Sequence, residues 1–315
     1  MEYENSAVIW ARYIESFSLV MKLEGLRPHT ISSYVRDVRR MGELMEWQSP
    51  TSLKSHDVRR YVDWLSDRVS PATVALGQLG LRKFFKFLLD EGEITTDPTV
   101  KVKKVKFRNK PQPAYTPEEV EQILRFCKSN TWNGVRNRAI VTVLFDTGVR
   151  VGELVSMGLP NWETHTTVVN GKTGHRTVPL GEVALLEIQR YVRRWGISEG
   201  PLWKGERGQI NESGVYQMIR KLSMKAKVEF KGVHAFRRAA AAQMKRLGMN
   251  DSDILEVMGW KDIEMLRLYT ASVATELAQV AHVKYSPADH ITFGRKDQNP
   301  YGAVRYGAPR RSRTT

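Results

Sequence analysis

A basic segment that ends in prolines divides this chain and constrains its fold more than any other feature. Residues 101–110, KVKKVKFRNK, contain six basic residues and no acidic residue, and prolines follow at positions 111 and 113. A proline favours extended backbone at the residue before it, so a helix is not expected to continue through this segment. A chain of 315 residues also exceeds the usual size of one compact core. The sequence therefore predicts two domains joined by an extended linker, which spans about 40 Å if a dozen residues are fully stretched.

The apolar periodicity on each side of the linker predicts a mainly α protein. Residues 7–105 read as short amphipathic helices, one of them beginning near Thr30 with Thr30 as its N-cap. Thr116-Pro-Glu-Glu begins the first helix of the second half. β-rich flanks around NGKTG in residues 164–180 predict a hairpin. The predicted divisions are a helical domain (1–103), a basic linker (104–113), a mostly helical domain with a small antiparallel β-hairpin (114–290) and a basic tail (291–315).

The net charge of +15 is concentrated in two segments. Residues 101–110 contribute +6 and residues 293–315 contribute +5, or 11 of the 15 charges. Concentrated cations favour a polyanion because each neutralised phosphate releases a condensed counterion. Double-stranded DNA is the predicted partner, although a solvated linker is the ordinary interpretation of either segment alone. The candidate DNA contacts in the linker are Lys101, Lys103, Lys104, Lys106 and Arg108.

Other features exclude several classes of protein. The single cysteine, Cys127, rules out an intrachain disulfide and a multi-cysteine zinc cluster and fits a reducing compartment. No apolar run reaches membrane-spanning length, and the first residues, MEYENSAVIW, do not resemble a secretory signal. We therefore expect a cytoplasmic protein without a membrane partner.

Seven residues are candidates for chemistry: Arg150, Glu153, Lys172, His234, Arg237, Trp260 and Tyr269. Arg150 follows an Asp-Thr-Gly break after an apolar run, and Glu153 lies three residues further on the same helical face, where it can orient the guanidinium. Each residue alone has an ordinary interpretation, such as a surface ion pair, a solvated turn at Lys172 or a core aromatic at Tyr269.

Taken together, these groups suit phosphoryl transfer on DNA. Two arginines, a histidine and a lysine can surround a phosphodiester and stabilise the charge of its transition state. A tyrosine can then attack phosphorus and form a covalent phosphotyrosyl intermediate. Because the sequence has no Asp/Glu cluster with metal-ligand spacing, no metal and no other cofactor is predicted. Chain order alone does not show that these residues converge.

The order of these motifs resembles the tyrosine recombinase (phage integrase) family. The matching segments are TGVRVGEL with Arg150, GKTGHRTVPL with Lys172, HAFRR with His234 and Arg237, and MGWKDIEMLRLYT with Trp260 and Tyr269. Residues 7–105 resemble the family's helical core-binding domain. The resemblance implies the family's two-domain fold and site-specific recombination through a 3′-phosphotyrosine and a Holliday junction, in a homotetramer on two recombining sites.

The resemblance also implies a role for each residue. Arg150 and Arg237 clamp the scissile phosphate with His234 assisting, and Glu153 supports Arg150. Lys172 protonates the leaving 5′ oxygen, and Tyr269 is the nucleophile. Residues 272–285 resemble the C-terminal helix that docks on a neighbouring protomer.

Two positions depart from the family pattern. Trp260 stands where many members have histidine, and an indole can donate a hydrogen bond but cannot transfer a proton, so acid–base chemistry falls to Lys172 and His234. Arg238 stands where histidine is common. An integrase of a phage or other mobile element is the first interpretation. A chromosome or plasmid multimer resolvase, a type IB topoisomerase and a non-catalytic DNA-binding relative are the alternatives.

Neutralising the linker lysines 101, 103, 104 and 106 to glutamine should weaken binding to DNA of any sequence. The plot of log K against log salt concentration should become shallower by about 0.9 for each phosphate that the variant no longer neutralises. Fluorescence anisotropy on a random-sequence duplex at several salt concentrations measures both quantities. An unchanged slope would exclude these lysines as phosphate ligands.

Overall fold

The computed structural model describes residues 6–107, 112–171, 174–205 and 208–290. The chain divides into two compact units, one within Met1–Lys110 and the other within Pro111–Thr315. Helices dominate both units, and the described strands form two small antiparallel sheets of two strands each. The predicted mainly α fold with a small antiparallel hairpin is confirmed. No helix within the described ranges is long and apolar enough to cross a membrane. The predicted domain boundaries stay predictions, and the basic tail, 291–315, lies outside the described residues.

The first unit packs its helices around an aromatic core. Its described helices are α1 (Ser6–Leu23), α2 (Pro28–Leu44), α3 (Ser55–Ser66) and α4 (Pro71–Asp90), with a 3-10 turn at Pro50–Ser52. Trp10 of α1 stacks on Phe84 of α4 at a centroid distance of 5.8 Å. The helix predicted near Thr30 is present, but its predicted N-cap is wrong: α2 begins at Pro28, with Arg27 as its N-cap. Proline takes this position because its fixed φ suits the first residue of a helix.

The beginning of the basic segment is anchored to the first unit. Gln78 of α4 donates from Nε2 to the carbonyl oxygen of Lys103 at 2.9 Å and accepts at Oε1 from the N–H of Val105 at 2.8 Å. Arg82 donates to the carbonyl oxygen of Val102, whose side chain is buried in the core of this unit. Lysines 101, 103, 104 and 106 are exposed. Within the described residues 101–107, the segment therefore combines a packed backbone with lysine side chains that are open to solvent.

The second unit contains the hairpin and the remaining helices. The described elements are α5 (Pro117–Arg125), α6 (Trp132–Thr147), α7 (Val151–Val155), β1 (Thr166–Gly171), β2 (Gly174–Pro179), α8 (Glu182–Trp195), β3 (Lys204–Gly205), β4 (Gly208–Gln209), α9 (Glu212–Lys225), α10 (His234–Arg246), α11 (Asp251–Met258) and α12 (Ile263–Tyr285), followed by a 3-10 turn at Pro287–His290. β1 and β2 pair antiparallel, from Thr166 opposite Pro179 to Gly171 opposite Gly174, so the predicted hairpin is confirmed. Thr116 caps α5 as predicted, since its hydroxyl accepts from the N–H of Glu119 at 3.2 Å.

Helix α10 packs closely on its neighbours because most of the residues on its buried face are alanines. Residues 239–242 are four consecutive alanines, and all four are buried. α10 contacts α6, α11 and α12. Ala240 and Ala241 belong to a separate apolar cluster with Met258, Trp260 and Leu266, against which Tyr269 packs. The alanines therefore let the helices that carry the candidate residues come together.

Gly148 ends α6 where α6 meets α10 and α11. It adopts the left-handed conformation with φ of 61°, which disfavours any residue with a side chain. A Cβ at this position would lie 2.7 Å from Cε of Met258 in α11 and 3.1 Å from Cβ of Ala240 in α10. Both the backbone conformation and the close approach therefore require glycine.

Replacing Gly148 with alanine should lower the free energy of unfolding by about 2–4 kcal/mol, because left-handed strain is added to overpacking against Met258. Gly196 provides a matched control: it also caps a helix, α8, with φ of 61°, but a Cβ there would meet nothing within 4 Å. Gly196→Ala should cost only the strain, about 1–2 kcal/mol. Urea unfolding of both variants measures the difference, and equal losses would contradict the packing argument.

Candidate active site

A buried carboxylate, Glu153, holds Arg150 at the start of α7. Arg150 is the N-cap of α7, and its backbone N–H donates to Oε2 of Glu153 at 2.9 Å. The Arg150 side chain donates from Nη1 to Oε1 at 2.8 Å. Burial raises the pKa of Glu153, but hydrogen bonds from Arg176 and Arg150 outweigh it and hold that pKa at about 2. Glu153 is therefore ionised at neutral pH and fixes the Arg150 guanidinium in one orientation.

Arg176 of β2 is a second guanidinium on the same carboxylate, and it is not among the residues predicted from the sequence. Its Nη2 donates to Oε2 of Glu153 at 2.9 Å, and its Nη1 donates to the carbonyl oxygen of Val257 at 2.6 Å. These partners lie 23 and 81 residues away along the chain. The sequence did contain one signal for this residue, since Arg176 lies inside the hairpin motif GKTGHRTVPL. No local spacing, however, relates Arg176 to Glu153 or to Val257.

Arg237 of α10 is buried, with only 1% of its surface exposed, and it joins the ends of two helices. Its Nη1 donates to the carbonyl oxygen of Gly148 after α6 at 2.6 Å, and its Nη2 donates to the carbonyl oxygen of Met258, the last residue of α11. Burial and the nearby charge of Arg150 lower the pKa of Arg237 to about 10, so it remains a cation at neutral pH. Its Nε–H has no hydrogen-bond partner among the described residues. An unpartnered buried donor on a cation is suited to an anionic ligand.

Tyr269 of α12 lies against His234 and Trp260. Its hydroxyl oxygen is 2.5 Å from Nε2 of His234, the first residue of α10. Its ring centroid is 4.7 Å from that of Trp260. The guanidinium carbon of Arg237 lies 4.9 Å from the Trp260 ring centroid, within cation–π range. Through Trp260, these contacts connect the tyrosine to the end of α11 that Arg237 holds, and through His234 they connect it to the start of α10.

The charges around His234 favour its neutral form. Desolvation of the imidazole and the charges of Arg238, Arg237 and Arg150 lower the pKa of His234 to about 4. The His234 side chain is partly exposed, and the desolvation arises from the side of the imidazole that faces the protein. The neutral ring can accept a hydrogen bond at one of its nitrogens. At neutral pH, Nε2 of His234 can therefore accept from the Tyr269 hydroxyl.

The structure brings six of the seven predicted residues into one site: Arg150, Glu153, His234, Arg237, Trp260 and Tyr269. Lys172 lies outside the described residues, as does Arg108 of the linker. Within the described part of the chain, no three or more His, Cys, Asp or Glu side chains form a group that could hold a metal ion.

A tyrosine beside a histidine and clustered guanidinium groups, on this two-unit helical fold, defines a DNA strand-exchange enzyme of the tyrosine recombinase class. The model of the phage integrase family matches residues 114–276, and that of the phage integrase N-terminal SAM-like domain matches residues 14–92. The chain belongs to the phage integrase family. It is a tyrosine recombinase, an enzyme that cleaves and rejoins DNA through a tyrosine intermediate.

Similar proteins span nearly the whole chain. Tyrosine recombinase XerD of Listeria monocytogenes is 26% identical over 286 residues, covering 85% of this chain and 96% of the relative. Tyrosine recombinase XerC of Pelobacter propionicus is 28% identical, with 86% and 95% covered. Among solved structures, the Tn1549 transposon integrase with transposon right end DNA gives a TM-score of 0.70 at 17% identity, over 87% of this chain and 99% of that chain. A lambda integrase dimer on a core site gives 0.69 at 18% identity, over 82% and 76%.

The lowered pKa of His234 predicts that its ring stays neutral well below the ordinary histidine range near 6.5. In an NMR titration of imidazole nitrogens, His234 should become protonated only as the pH falls toward about 4. Arg238→Gln should raise its pKa by removing the charge that repels the imidazolium most strongly, whereas Arg190→Gln on α8 should leave it unchanged. A His234 pKa at or above 6.5 in the unmodified protein would contradict the electrostatic account.

Proposed function

We propose that Tyr269 is the nucleophile of this recombinase and that Arg150, His234, Arg237 and Trp260 activate the scissile phosphate and the tyrosine. The observation that carries this proposal is the distance of 2.5 Å between the Tyr269 hydroxyl and Nε2 of a neutral His234. The tyrosine oxygen attacks phosphorus, the bond from phosphorus to the 5′ oxygen breaks, and a 3′-phosphotyrosine forms. Attack of a 5′ hydroxyl on this intermediate reverses the step and rejoins a strand.

The two arginines stabilise charge on the phosphate. Phosphoryl transfer places negative charge on the non-bridging oxygens, and donors fixed before the reaction stabilise that charge without reorganising. Arg150 is fixed by Glu153, and Arg237 is fixed by two helix-end carbonyls. Arg237 retains its unpartnered Nε–H for a phosphate oxygen. The Trp260 indole supplies a further N–H donor but no proton transfer.

Proton transfer is divided between two groups. His234 accepts the proton of the Tyr269 hydroxyl, because its neutral ring contacts that oxygen. Lys172 protonates the leaving 5′ oxygen. That role rests on the motif GKTGHRTVPL, residues 171–180, and on the chemistry of a lysine ammonium.

Double-stranded DNA is the proposed substrate, and a homotetramer on two recombining sites is the proposed assembly. The exposed lysines at 101, 103, 104 and 106, with Arg108, are proposed phosphate contacts. For the assembly, Val273 of α12 packs within its own unit, whereas Val280 and Val283 are 67% and 75% exposed and remain for a neighbouring protomer. A lambda integrase tetramer bound to a Holliday junction has a similar fold, with a TM-score of 0.69 at 17% identity. The protein mass on junction DNA, measured by sedimentation, tests the stoichiometry.

Integration of a mobile element is the role we favour, in agreement with the fold similarity to a transposon integrase and lambda integrase. Resolution of chromosome or plasmid multimers is the second candidate, because the XerD and XerC relatives match over most of their length. Paired plasmid substrates separate the two roles. An integrase joins sites on different molecules, whereas a resolvase preferentially excises the segment between direct repeats on one molecule.

The nucleophile is tested with a nicked suicide duplex that carries the sequence the protein selects from a random library. The unmodified protein should form an adduct that resists denaturation, and Tyr269→Phe should form none because the attacking oxygen is missing. Tyr285→Phe is the matched control, since Tyr285 lies on the same helix and is 64% exposed. The assignment fails if the unmodified protein forms no adduct or if Tyr269→Phe forms as much.

A further inference from the structure

We infer that Arg176 is a positioning residue of the active site, which fixes Arg150 through a shared carboxylate and fixes the turn that carries Trp260. This inference rests on the proposed function, because it assigns Arg176 an effect on the phosphate through those two residues. Arg176 itself is not proposed to touch DNA, since only 15% of its side chain is exposed.

The carboxylate of Glu153 has all four of its acceptor positions in use. Oε1 accepts from Nη1 of Arg150 at 2.8 Å and from Nε of Arg176 at 3.4 Å, and Oε2 accepts from the N–H of Arg150 and from Nη2 of Arg176, both at 2.9 Å. With Arg150 alone, two of the four acceptor positions on the buried Glu153 carboxylate would have no partner, and the carboxylate would be free to rotate. The fork of Arg176 supplies the other two bonds, so the orientation of Arg150 depends on it.

The same guanidinium holds the end of α11. The carbonyl oxygen of Val257 accepts from Nη1 of Arg176, and the carbonyl oxygen of the next residue, Met258, accepts from Arg237. The last carbonyls of a helix have no partners within it, and cations near that end are favourable. Two arginines therefore anchor the chain immediately before Gly259 and Trp260.

Gly259 shows how closely Arg176 is packed. This glycine has φ of 61°, and a Cβ on it would lie 2.8 Å from Cδ and 3.0 Å from Nε of Arg176. On the hairpin side, a Cβ on Gly171 would lie 2.7 Å from Oε1 of Glu153. The Arg176–Glu153 pair is thus enclosed between two glycines, and this close packing holds the Arg176 guanidinium in one position. A lysine would preserve the charge but could not make three bonds in these fixed directions.

Arg138 of α6 provides a control of the same architecture outside the site. It donates from Nε to the buried carboxylate of Glu187 at 3.0 Å and from Nη1 to the carbonyl oxygen of Leu124 in the last turn of α5. Loss of this arginine removes a comparable arginine–glutamate–helix-end arrangement. It therefore tests the loss of an arginine–glutamate–helix-end contact that does not involve Arg150 or Trp260.

The experiment compares Arg176→Met, Arg176→Lys and Arg138→Met on two nicked suicide duplexes. One duplex has the normal scissile phosphate, and the other has a methylphosphonate, which is neutral and needs less cationic stabilisation. The quantity measured is the single-turnover cleavage rate constant on the phosphodiester divided by that on the methylphosphonate. Misplaced phosphate ligands should slow Arg176→Met about a hundredfold on the phosphodiester. The defect should be about tenfold or more smaller on the methylphosphonate, whose transition state carries less charge.

The expected pattern is a lowered ratio for Arg176→Met, an intermediate ratio for Arg176→Lys and an unchanged ratio for Arg138→Met. Equal defects of Arg176→Met on both substrates, or no defect, would overturn the positioning role while leaving the proposed function intact. If Arg176→Met does not fold, the ratio for Arg176→Lys decides by the same criterion. Absence of any adduct with the unmodified protein would instead overturn the proposed function.

Discussion

The geometry of the second unit depends on the two hydrogen bonds from the Arg237 guanidinium to helix-end carbonyls. A buried cation is costly unless polar groups surround it, and here the carbonyl oxygens of Gly148 and Met258 do so at the ends of two helices. The chain leaves those ends toward Arg150 in one direction and toward Trp260 in the other. One buried charge therefore fixes the two points of the chain from which Arg150 and Trp260, the proposed phosphate ligands, extend, and the ring of Trp260 lies against the same guanidinium.

The charge balance of the site follows from this arrangement. Glu153 is the carboxylate that pairs with both Arg150 and Arg176, and its pKa of about 2 keeps it ionised. Arg237 has its bonds to neutral carbonyls, so its charge is not cancelled by a carboxylate contact. The surplus of positive charge lowers the pKa of His234 and suits a phosphodiester. The same positive charge thus keeps His234, the proposed proton acceptor, neutral and favours an anionic substrate.

The parts of this molecule that depend on neighbouring residues were predictable from the sequence, and the parts that depend on distant contacts were not. The Thr116 cap and the hairpin follow from turn and capping chemistry within a few residues. The N-cap was misplaced at Thr30 because a threonine and a proline both signal a helix start there, and the helix begins at the proline, two residues earlier. Arg237 was predicted from its spacing to His234, but its burial and its two carbonyl partners follow from packing across 89 and 21 residues. Arg176 escaped prediction for the same reason.

The anchored beginning of the basic segment shortens the stretch of chain that joins one unit to the other. Val105 is held by Gln78, and Pro113 is held by Arg238, which donates to its carbonyl oxygen at 2.9 Å. Eight residue-to-residue steps join these two anchors, so their Cα atoms can be at most about 28 Å apart. This is shorter than the about 40 Å expected when the whole segment is counted as free. Hydrogen bonds within each unit, and not the length of the basic segment, therefore set how much chain joins the two anchors.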